Sequence, residues 1–150
     1  MEHLVDTNVL LRWSQPDHPD YPAVRLAIET LQAEHELCVS SQNLVEFWNV
    51  ATRPSDANGF GLHHQAAADE LTDLESFFKL LPDEPAVYRR WRKLVIDHRV
   101  SGAKVHDARL AAVMLVHGVS HVLTFNKADF ARYTGITALD PGGVLAASSA

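Results

Sequence analysis

The chain alternates short apolar runs with longer segments in which apolar residues recur at helical spacing. The short runs predict β-strands, whereas a spacing of three and four residues predicts amphipathic helices. The predicted strands span residues 3–8, 36–39, 77–81, 121–124 and 136–139. The predicted helices span residues 9–13, 22–34, 41–52, 64–74, 82–98, 105–117 and 125–130. Because strands and helices alternate, the expected fold is α/β, a parallel-sheet α/β/α sandwich with helices on both faces.

Length and composition indicate a single globular domain. The 150 residues, 47% of them hydrophobic, are enough to bury a core. We expect one domain over residues 1–141 and a short C-terminal tail over residues 142–150, to which we assign no function. The longest apolar run, residues 110–116, is far shorter than the ~20 residues that span a membrane. The N-terminus lacks the layout of a signal peptide, so we expect a soluble, cytoplasmic protein without a membrane partner.

Charge and cysteine content limit the kinds of metal site and nucleic-acid surface that the protein can have. The single cysteine, Cys38, has no partner for a disulfide or a thiolate metal site and is expected in the core. The net charge of −6 argues against a protein that coats nucleic acid through a generally basic surface. Residues 89–109 nevertheless contain seven basic and only two acidic residues. This basic stretch fits either a guide for a phosphate backbone or an ordinary solvated helix face.

Four acidic residues lie at positions that a parallel sheet would bring together. Asp6 ends the opening apolar run and Glu46 lies within a predicted helix, while Asp107 begins another helix and Asp129 follows the fourth strand. Alone, Asp6 is typical of a turn or helix cap, and Asp107 is favoured by the helix dipole. Ligands bind near the carboxyl ends of parallel strands. A group of carboxylates there suits Mg²⁺, a hard cation that prefers oxygen ligands and retains several waters.

Four short motifs carry a resemblance that spans almost the whole chain. They are Val-Asp-Thr-Asn at residues 5–8, Ser-Ser-Gln-Asn-Leu-Val-Glu-Phe at 40–47, Val-His-Asp-Ala-Arg-Leu-Ala-Ala at 105–112 and Thr-Phe-Asn-Lys-Ala-Asp-Phe at 124–130. In this order the chain resembles the PIN-domain ribonucleases, and most closely the VapC-type toxins of bacterial toxin–antitoxin pairs. The resemblance implies an endoribonuclease toxin that uses Mg²⁺ or Mn²⁺ to cleave structured or single-stranded RNA. It also implies a cognate antitoxin that inhibits the toxin, and a homodimer.

The resemblance implies roles for individual residues as well. Its first three acids are matched by Asp6, Glu46 and Asp107, and its fourth by Asp129. We expect Asp6 and Asp107 to ligate the metal, and Glu46 to ligate it or to orient the attacking water. Asp129 is expected to complete the site directly or through water. The residues expected to support these acids through hydrogen bonds are Thr7, Asn8, Thr124 and Asn126. The residues expected to contact substrate are Arg53 and Arg109.

Other interpretations remain open at this stage. A receiver-like regulatory domain phosphorylated on aspartate also has an acidic pocket, but its acids follow strands, whereas Glu46 and Asp107 lie on predicted helices. A catalytically silent PIN-fold binding protein is a further alternative, against which the presence of all four acids argues. Turn and cap roles are an equal alternative for Asn8 and the more expected role for Thr7. The nine histidines show no zinc-ligand spacing.

Overall fold

A five-stranded sheet forms the centre of the computed structural model, which describes residues 1–149. The strands are β1 (Glu2–Val5), β2 (Glu36–Ser40), β3 (Lys79–Leu81), β4 (His121–Leu123) and β5 (Thr137–Leu139). All pairings are parallel, and the order across the sheet is β3-β2-β1-β4-β5. Each strand overlaps a strand predicted from the sequence, and β1 occupies the central position.

Seven α-helices cover the sheet over the described part of the chain. They are α1 (Thr7–Trp13), α2 (Tyr21–Gln32), α3 (Ser41–Thr52), α4 (His64–Phe77), α5 (Pro85–Asp97), α6 (Lys104–His117) and α7 (Pro141–Ser148). The short helix predicted at residues 125–130 is a single 3₁₀ turn, Lys127–Asp129. None of the helices within residues 1–149 combines the length and apolar composition needed to cross a bilayer.

Successive residues of each strand contribute to two separate cores, because their side chains alternate between the faces of the sheet. Val5 and Val39 pack with α1, α2, α3, α4 and α7, whereas Leu4 and Cys38 pack with α5 and α6. All four side chains are buried. The predicted α/β/α sandwich is therefore confirmed, and so is the burial of Cys38, which raises the pKa of its thiol to about 12.

The chain changes direction across the sheet between β1 and β4. From β1 it proceeds to β2 and β3 on one side, and it later returns to add β4 and β5 on the other. At such a point the loops leave the strand ends in opposite directions and open a crevice, where ligands bind in open α/β sheets. The Asp6 N–H still donates a hydrogen bond to the Leu123 carbonyl (2.9 Å). Asp6 therefore lies directly at this crevice.

Two strands end earlier than predicted. β1 ends at Val5, because the Asp6 carboxylate accepts a hydrogen bond from the Thr7 N–H (2.8 Å) and caps α1. Thr7 and Asn8, which were predicted in the strand, are the first residues of α1. Likewise, β4 ends one residue before Thr124. Asp6 is therefore a helix cap, and this role also places its carboxylate at the edge of the sheet.

The C-terminal segment that was expected to be a tail contains α7. The Asp140 carboxylate caps this helix, and Val144 is buried in the core that α7 shares with α2. The sequence does not reveal α7 because residues 142–150 are mostly small and show no amphipathic pattern. Ala150 lies outside the described residues.

Three histidines stack at the amino end of the central strands. His3 on β1 is only 3% exposed, and its ring lies 4.3 Å from that of His35 and 4.8 Å from that of His121, measured between centroids. The pKa of His3 is lowered to about 4, chiefly by burial and in smaller part by the charges of the two neighbouring histidines. The His3 ring is therefore neutral in the folded protein at neutral pH.

We predict that His3 makes the fold sensitive to acid. Its pKa is lower in the folded than in the unfolded chain, so its contribution to stability is complete above pH 6.5 and is lost as the pH falls toward 4. When the pH falls from 7 to 4.5, the free energy of unfolding measured in urea should decrease by about 2 kcal/mol more for the wild type than for His3→Phe. The exposed His63→Gln variant is the control and should follow the wild type. Equal pH dependence of His3→Phe and the wild type would contradict this prediction.

Candidate active site

Asp6 is held by hydrogen bonds on both carboxylate oxygens. Oδ1 accepts from the Thr7 N–H (2.8 Å) and Oδ2 accepts from the Thr124 hydroxyl (2.8 Å). Asp6 is 7% exposed, and this burial raises the pKa of its carboxyl group to about 6. The negative charges of Glu46 and Asp129 raise it as well, while the two hydrogen bonds partly offset these effects. The carboxylate is thus fixed in position although its charged form is disfavoured.

Thr124 and Asn8 connect the loop after β4 to the start of α1. The buried Thr124 hydroxyl that donates to Asp6 also accepts from the Asn126 N–H (3.0 Å) and the Asn8 side-chain amide (3.4 Å). The side-chain oxygen of Asn8, Oδ1, accepts from the Phe125 N–H (3.2 Å). Thr124 and Asn8 therefore lie beside Asp6, as expected for supporting residues. Asn126 takes part through its backbone, and its side chain is exposed.

Thr7 joins α1 to the beginning of α3. Its hydroxyl accepts a hydrogen bond from the buried Asn43 amide (3.1 Å). The same Asn43 side chain accepts from the backbone N–H and the hydroxyl of Ser40 (2.9 and 2.8 Å), which closes the capping box of α3. Glu46 lies one turn further along α3. These contacts fix the start of α3, the helix that carries Glu46, relative to Asp6.

Gln42 links Glu46 to α6, although it is not among the site residues predicted from the sequence. The Gln42 amide donates to Glu46 Oε1 (3.0 Å) and to the His106 carbonyl (2.8 Å), and its own oxygen accepts from Arg109 Nη1 (2.9 Å). Gln42 lies one helical turn before Glu46, which is the sequence signal that could have found it. Burial raises the pKa of Glu46, the charge of Asp107 adds to this effect, and the Gln42 hydrogen bond opposes it.

Asp107, in the first turn of α6, completes an electrostatic cluster with the other acids. Its pKa is raised to about 6 by burial and by the charges of Asp129 and Asp6. Asp107 in turn raises the pKa of Glu46, and Glu46 raises that of Asp6. Each of the four predicted acids thus acts electrostatically on at least one other. The structure brings them together at the carboxyl edge of the sheet.

Asp129 differs from the other three acids because it forms an ion pair with Lys104. Lys104 is the first residue of α6, one turn before Asp107, and its positive charge lowers the pKa of Asp107. In the sequence, Lys104 is one of the seven basic residues between positions 89 and 109. One of the four carboxylates is therefore already partnered by a lysine within the chain.

The donor groups at this edge fit a divalent hard cation. No three His, Cys, Asp or Glu side chains among residues 1–149 are arranged as a ready-made metal cage. Mg²⁺ does not need such a cage, because one or two carboxylates and several waters usually satisfy it. Asp6, Glu46 and Asp107 supply carboxylate oxygens, whereas the Thr124 hydroxyl is fully occupied by its bonds to Asp6, Asn8 and Asn126. A cation among them would offset the mutual repulsion of the acids.

The two arginines expected to contact substrate lie in different places. Arg109 on α6 is half-buried and bonded to Gln42, so it belongs to the acidic cluster. Arg53 follows the last residue of α3, about 10 Å along the helix axis from Glu46. Its guanidinium donates to the Asn58 carbonyl (3.4 Å) in the next loop. A role for Arg53 in substrate binding stays a prediction.

Solved structures with the same fold are clearly similar to this chain. VapBC-1 from nontypeable Haemophilus influenzae has a TM-score of 0.71 at 16% identity, over 95% of this chain and 99% of that one. A toxin–antitoxin complex from Klebsiella pneumoniae has a TM-score of 0.65 at 18% identity, over 93% and 97%. VapC20 from Mycobacterium tuberculosis, a toxin that cleaves the sarcin–ricin loop, has a TM-score of 0.65 at 16% identity, over 91% and 98%.

Comparison at the level of sequence identifies the family. A search of curated protein sequences gives no significant match. The model of the PIN domain family, however, matches residues 3–136. This range contains β2, β3, β4 and all of β1 except Glu2, it ends one residue before β5, and it contains the four clustered acids. The chain therefore belongs to the PIN domain family.

Proposed function

We propose that this protein is a metal-dependent endoribonuclease that acts as the toxin of a toxin–antitoxin pair. The observation that carries the proposal is the cluster of Asp6, Glu46, Asp107 and Asp129 at the crevice between β1 and β4. Membership of the PIN domain family supports it. Two structural neighbours described as a toxin–antitoxin complex and as an RNA-cleaving toxin support it further.

In this proposal Asp6 and Asp107 hold Mg²⁺ or Mn²⁺. The hydrogen bonds to Asp6 fix both of its oxygens and leave each with a lone pair for the cation. When bound, the ion lowers the pKa of a water and offsets charge on the phosphoryl oxygens. Glu46, whose Oε1 is oriented by Gln42, ligates the ion or accepts a proton from the attacking water. Attack by water on phosphorus, with breakage of the bond to the 3′ oxygen and protonation of that oxygen, would leave 5′-phosphate and 3′-hydroxyl ends.

The positive groups around the cluster suit an RNA backbone. Arg109 presents a guanidinium next to Glu46 through Gln42, and Lys104 lies beside Asp129. In the proposed complex Arg109 contacts a phosphate next to the cleaved bond. Because Lys104 partners Asp129, we propose that Asp129 acts on the ion through water.

Two alternative functions, a receiver domain and a catalytically silent binding protein, agree less well with these observations. A receiver domain does not agree with membership of the PIN domain family. A catalytically silent binding protein would have no reason to retain buried acids with raised pKa values, since such groups reduce stability. The proposed nuclease gives these acids a use, and the tests below distinguish it from the silent protein.

We predict that the purified protein cleaves RNA with Mg²⁺ or Mn²⁺ and that Asp6→Asn or Asp107→Asn lowers the rate about 100-fold or more. Each substitution removes a negative charge that would hold the ion while keeping the shape of the side chain. Cleavage of a labelled RNA, followed by sequencing of the ends, measures the rate and identifies the products.

The matched control for these variants is Asp73→Asn, an exposed aspartate on α4, which should cleave like the wild type. Circular dichroism should show all variants folded. Full activity in excess EDTA, or equal cleavage by the Asp107→Asn variant, would refute the proposed nuclease.

We predict that Asp107→Asn stabilises the protein in metal-free buffer at pH 7. The pKa of Asp107 is raised to about 6, so its ionisation opposes folding at pH values above the unfolded value of 3.8, and fully above 6. Removing the charge should raise the free energy of unfolding by up to about 1 kcal/mol, allowing for partial exposure. The gain, measured by urea unfolding, should shrink as the pH falls from 6 toward 4. A loss of stability at pH 7 would contradict this prediction.

We predict that an antitoxin encoded next to this protein neutralises it. Expression of the chain alone should arrest growth, and co-expression of a small DNA-binding protein encoded immediately upstream should restore it, as colony counts would show. The Asp107→Asn variant should be harmless yet still co-purify with that partner, because one carboxylate contributes little to a large interface. Toxicity that persists in this variant would separate growth arrest from RNA cleavage. We also propose a homodimer, which light scattering tests.

A further inference from the structure

A cavity of about 380 Å³ lies between α5 and the start of α6. It is distinct from the crevice at the ends of β1 and β4, and the residues that matter for its chemistry are Glu84, Tyr88, Trp91, His106 and Arg109. Its volume falls in the range of small-molecule binding pockets. The proposed reaction at the four acids does not by itself require such a cavity.

The cavity and the acidic cluster share a wall. Arg109 lines the cavity and donates to Gln42 (2.9 Å), which donates to Glu46 (3.0 Å). His106 also lines the cavity, and its carbonyl accepts from the same Gln42 (2.8 Å). Only one glutamine side chain therefore separates the cavity from a carboxylate of the cluster. A polymer that reaches the acids is able to place a neighbouring unit in the cavity.

Two aromatic side chains, Trp91 and Tyr88, form one wall of the cavity. The Trp91 indole N–H donates to the Val105 carbonyl (2.8 Å), which holds the ring in place between α5 and α6. The ring of Tyr88 lies 5.9 Å from that of Trp91, between centroids, at an angle of 34°. Tyr88 is 62% exposed although it is large and partly apolar. It thus presents a ring face to which a flat ligand can stack.

The polar groups of the cavity indicate what kind of flat ligand it takes. Arg109 supplies guanidinium donors, and the Glu84 carboxylate supplies an acceptor for amino or imino hydrogens. Four exposed cations follow Tyr88 along α5, of which Lys93 is paired with Asp97; the other three are Arg89, Arg90 and Arg92. An aliphatic side chain of a protein partner would leave the charged groups of the wall without partners. A nucleobase would stack on the Tyr88 ring and form hydrogen bonds with Arg109 and Glu84. Its attached phosphate would interact with the cations of α5.

We propose that this cavity binds one unpaired base of the RNA substrate, adjacent to the cleaved phosphodiester, with Tyr88 stacked on the base and Arg109 bonded to the flanking phosphate or to the base edge. The inference rests on the proposed function, which it deepens by giving the chain a subsite for a single-stranded nucleotide. Aromatic stacking of this kind tolerates different bases, while Glu84 and Arg109 favour those with matching hydrogen-bonding edges.

The experiment uses a 12-nucleotide single-stranded RNA of mixed sequence that carries the fluorescent base 2-aminopurine at each position in turn. All proteins carry Asp107→Asn so that the RNA stays intact in Mg²⁺. Anisotropy of an end label gives the affinity, and quenching of 2-aminopurine reports stacking at a particular position. We expect quenching at one position or at two adjacent positions of the bound RNA.

The test variants are Tyr88→Ala, which removes the ring, and Tyr88→Phe, which keeps it. Tyr88→Ala should weaken binding about tenfold and abolish the quenching, whereas Tyr88→Phe should retain both. Replacing the quenched nucleotide by an abasic one should weaken binding to the parent protein by a similar factor but hardly affect Tyr88→Ala. The control is Ile96→Ala, which truncates another exposed apolar residue of α5. It should bind like the parent.

Several outcomes would overturn the inference. They are unchanged RNA affinity of Tyr88→Ala, equal sensitivity of Tyr88→Ala and the parent to the abasic site, and a change in molecular mass of Tyr88→Ala by light scattering. The last result would make the cavity an interface between two copies of the chain. Cleavage by the protein without Asp107→Asn decides the proposed function separately. If it cleaves RNA while Tyr88→Ala binds normally, only the subsite is refuted.

Discussion

The hydrogen bond from the Thr124 hydroxyl to Asp6 is the interaction on which the site depends. It joins the ends of β1 and β4 at the point where the chain changes direction across the sheet. The other oxygen of the same carboxylate caps α1. One buried side chain therefore fixes a strand end, a helix start and the loop of the neighbouring strand. Cap and candidate ligand are the same group, so local folding and the geometry of the site are determined together.

The cluster of acids at the carboxyl edge of the sheet lowers the stability of the fold. Asp6, Glu46 and Asp107 are each partly or fully withdrawn from water, and each experiences the charge of another acid. Such crowding is typical of sites that act on charged ligands, because a ligand of opposite charge then binds strongly. Lys104 reduces this loss of stability because it forms an ion pair with Asp129. The rest of the fold, with two apolar cores on one sheet, is what tolerates this concentration of charge.

The sequence was sufficient to predict the five strands, the helices α1 to α6 and the convergence of the acids, but it did not predict α7. Asp6 and Asp107 could be placed because a strand end and a first helical turn have fixed positions in a parallel α/β fold. Lys104 could not, since its partner Asp129 lies on an element distant in sequence and a lysine on a helix is ordinarily solvated. The spacing of Gln42 from Glu46 was visible in the sequence, but its hydrogen bonds to α6 were not. Arg53 was expected to contact substrate because it follows the helix that carries Glu46. It lies beyond the end of α3 beside its own loop, and its contact with substrate stays a prediction.

The position of Gln42 has a consequence for the two charges on either side of it. Its amide accepts from Arg109 and donates to Glu46, so the cation and the anion are connected without touching. A direct pair would neutralise both groups and leave neither available to an incoming molecule. Because the neutral Gln42 side chain lies between them, Arg109 and Glu46 lie close together and both remain available to a ligand. The polypeptide thereby presents separate positive and negative poles to a ligand that itself combines anionic phosphates with a bound cation.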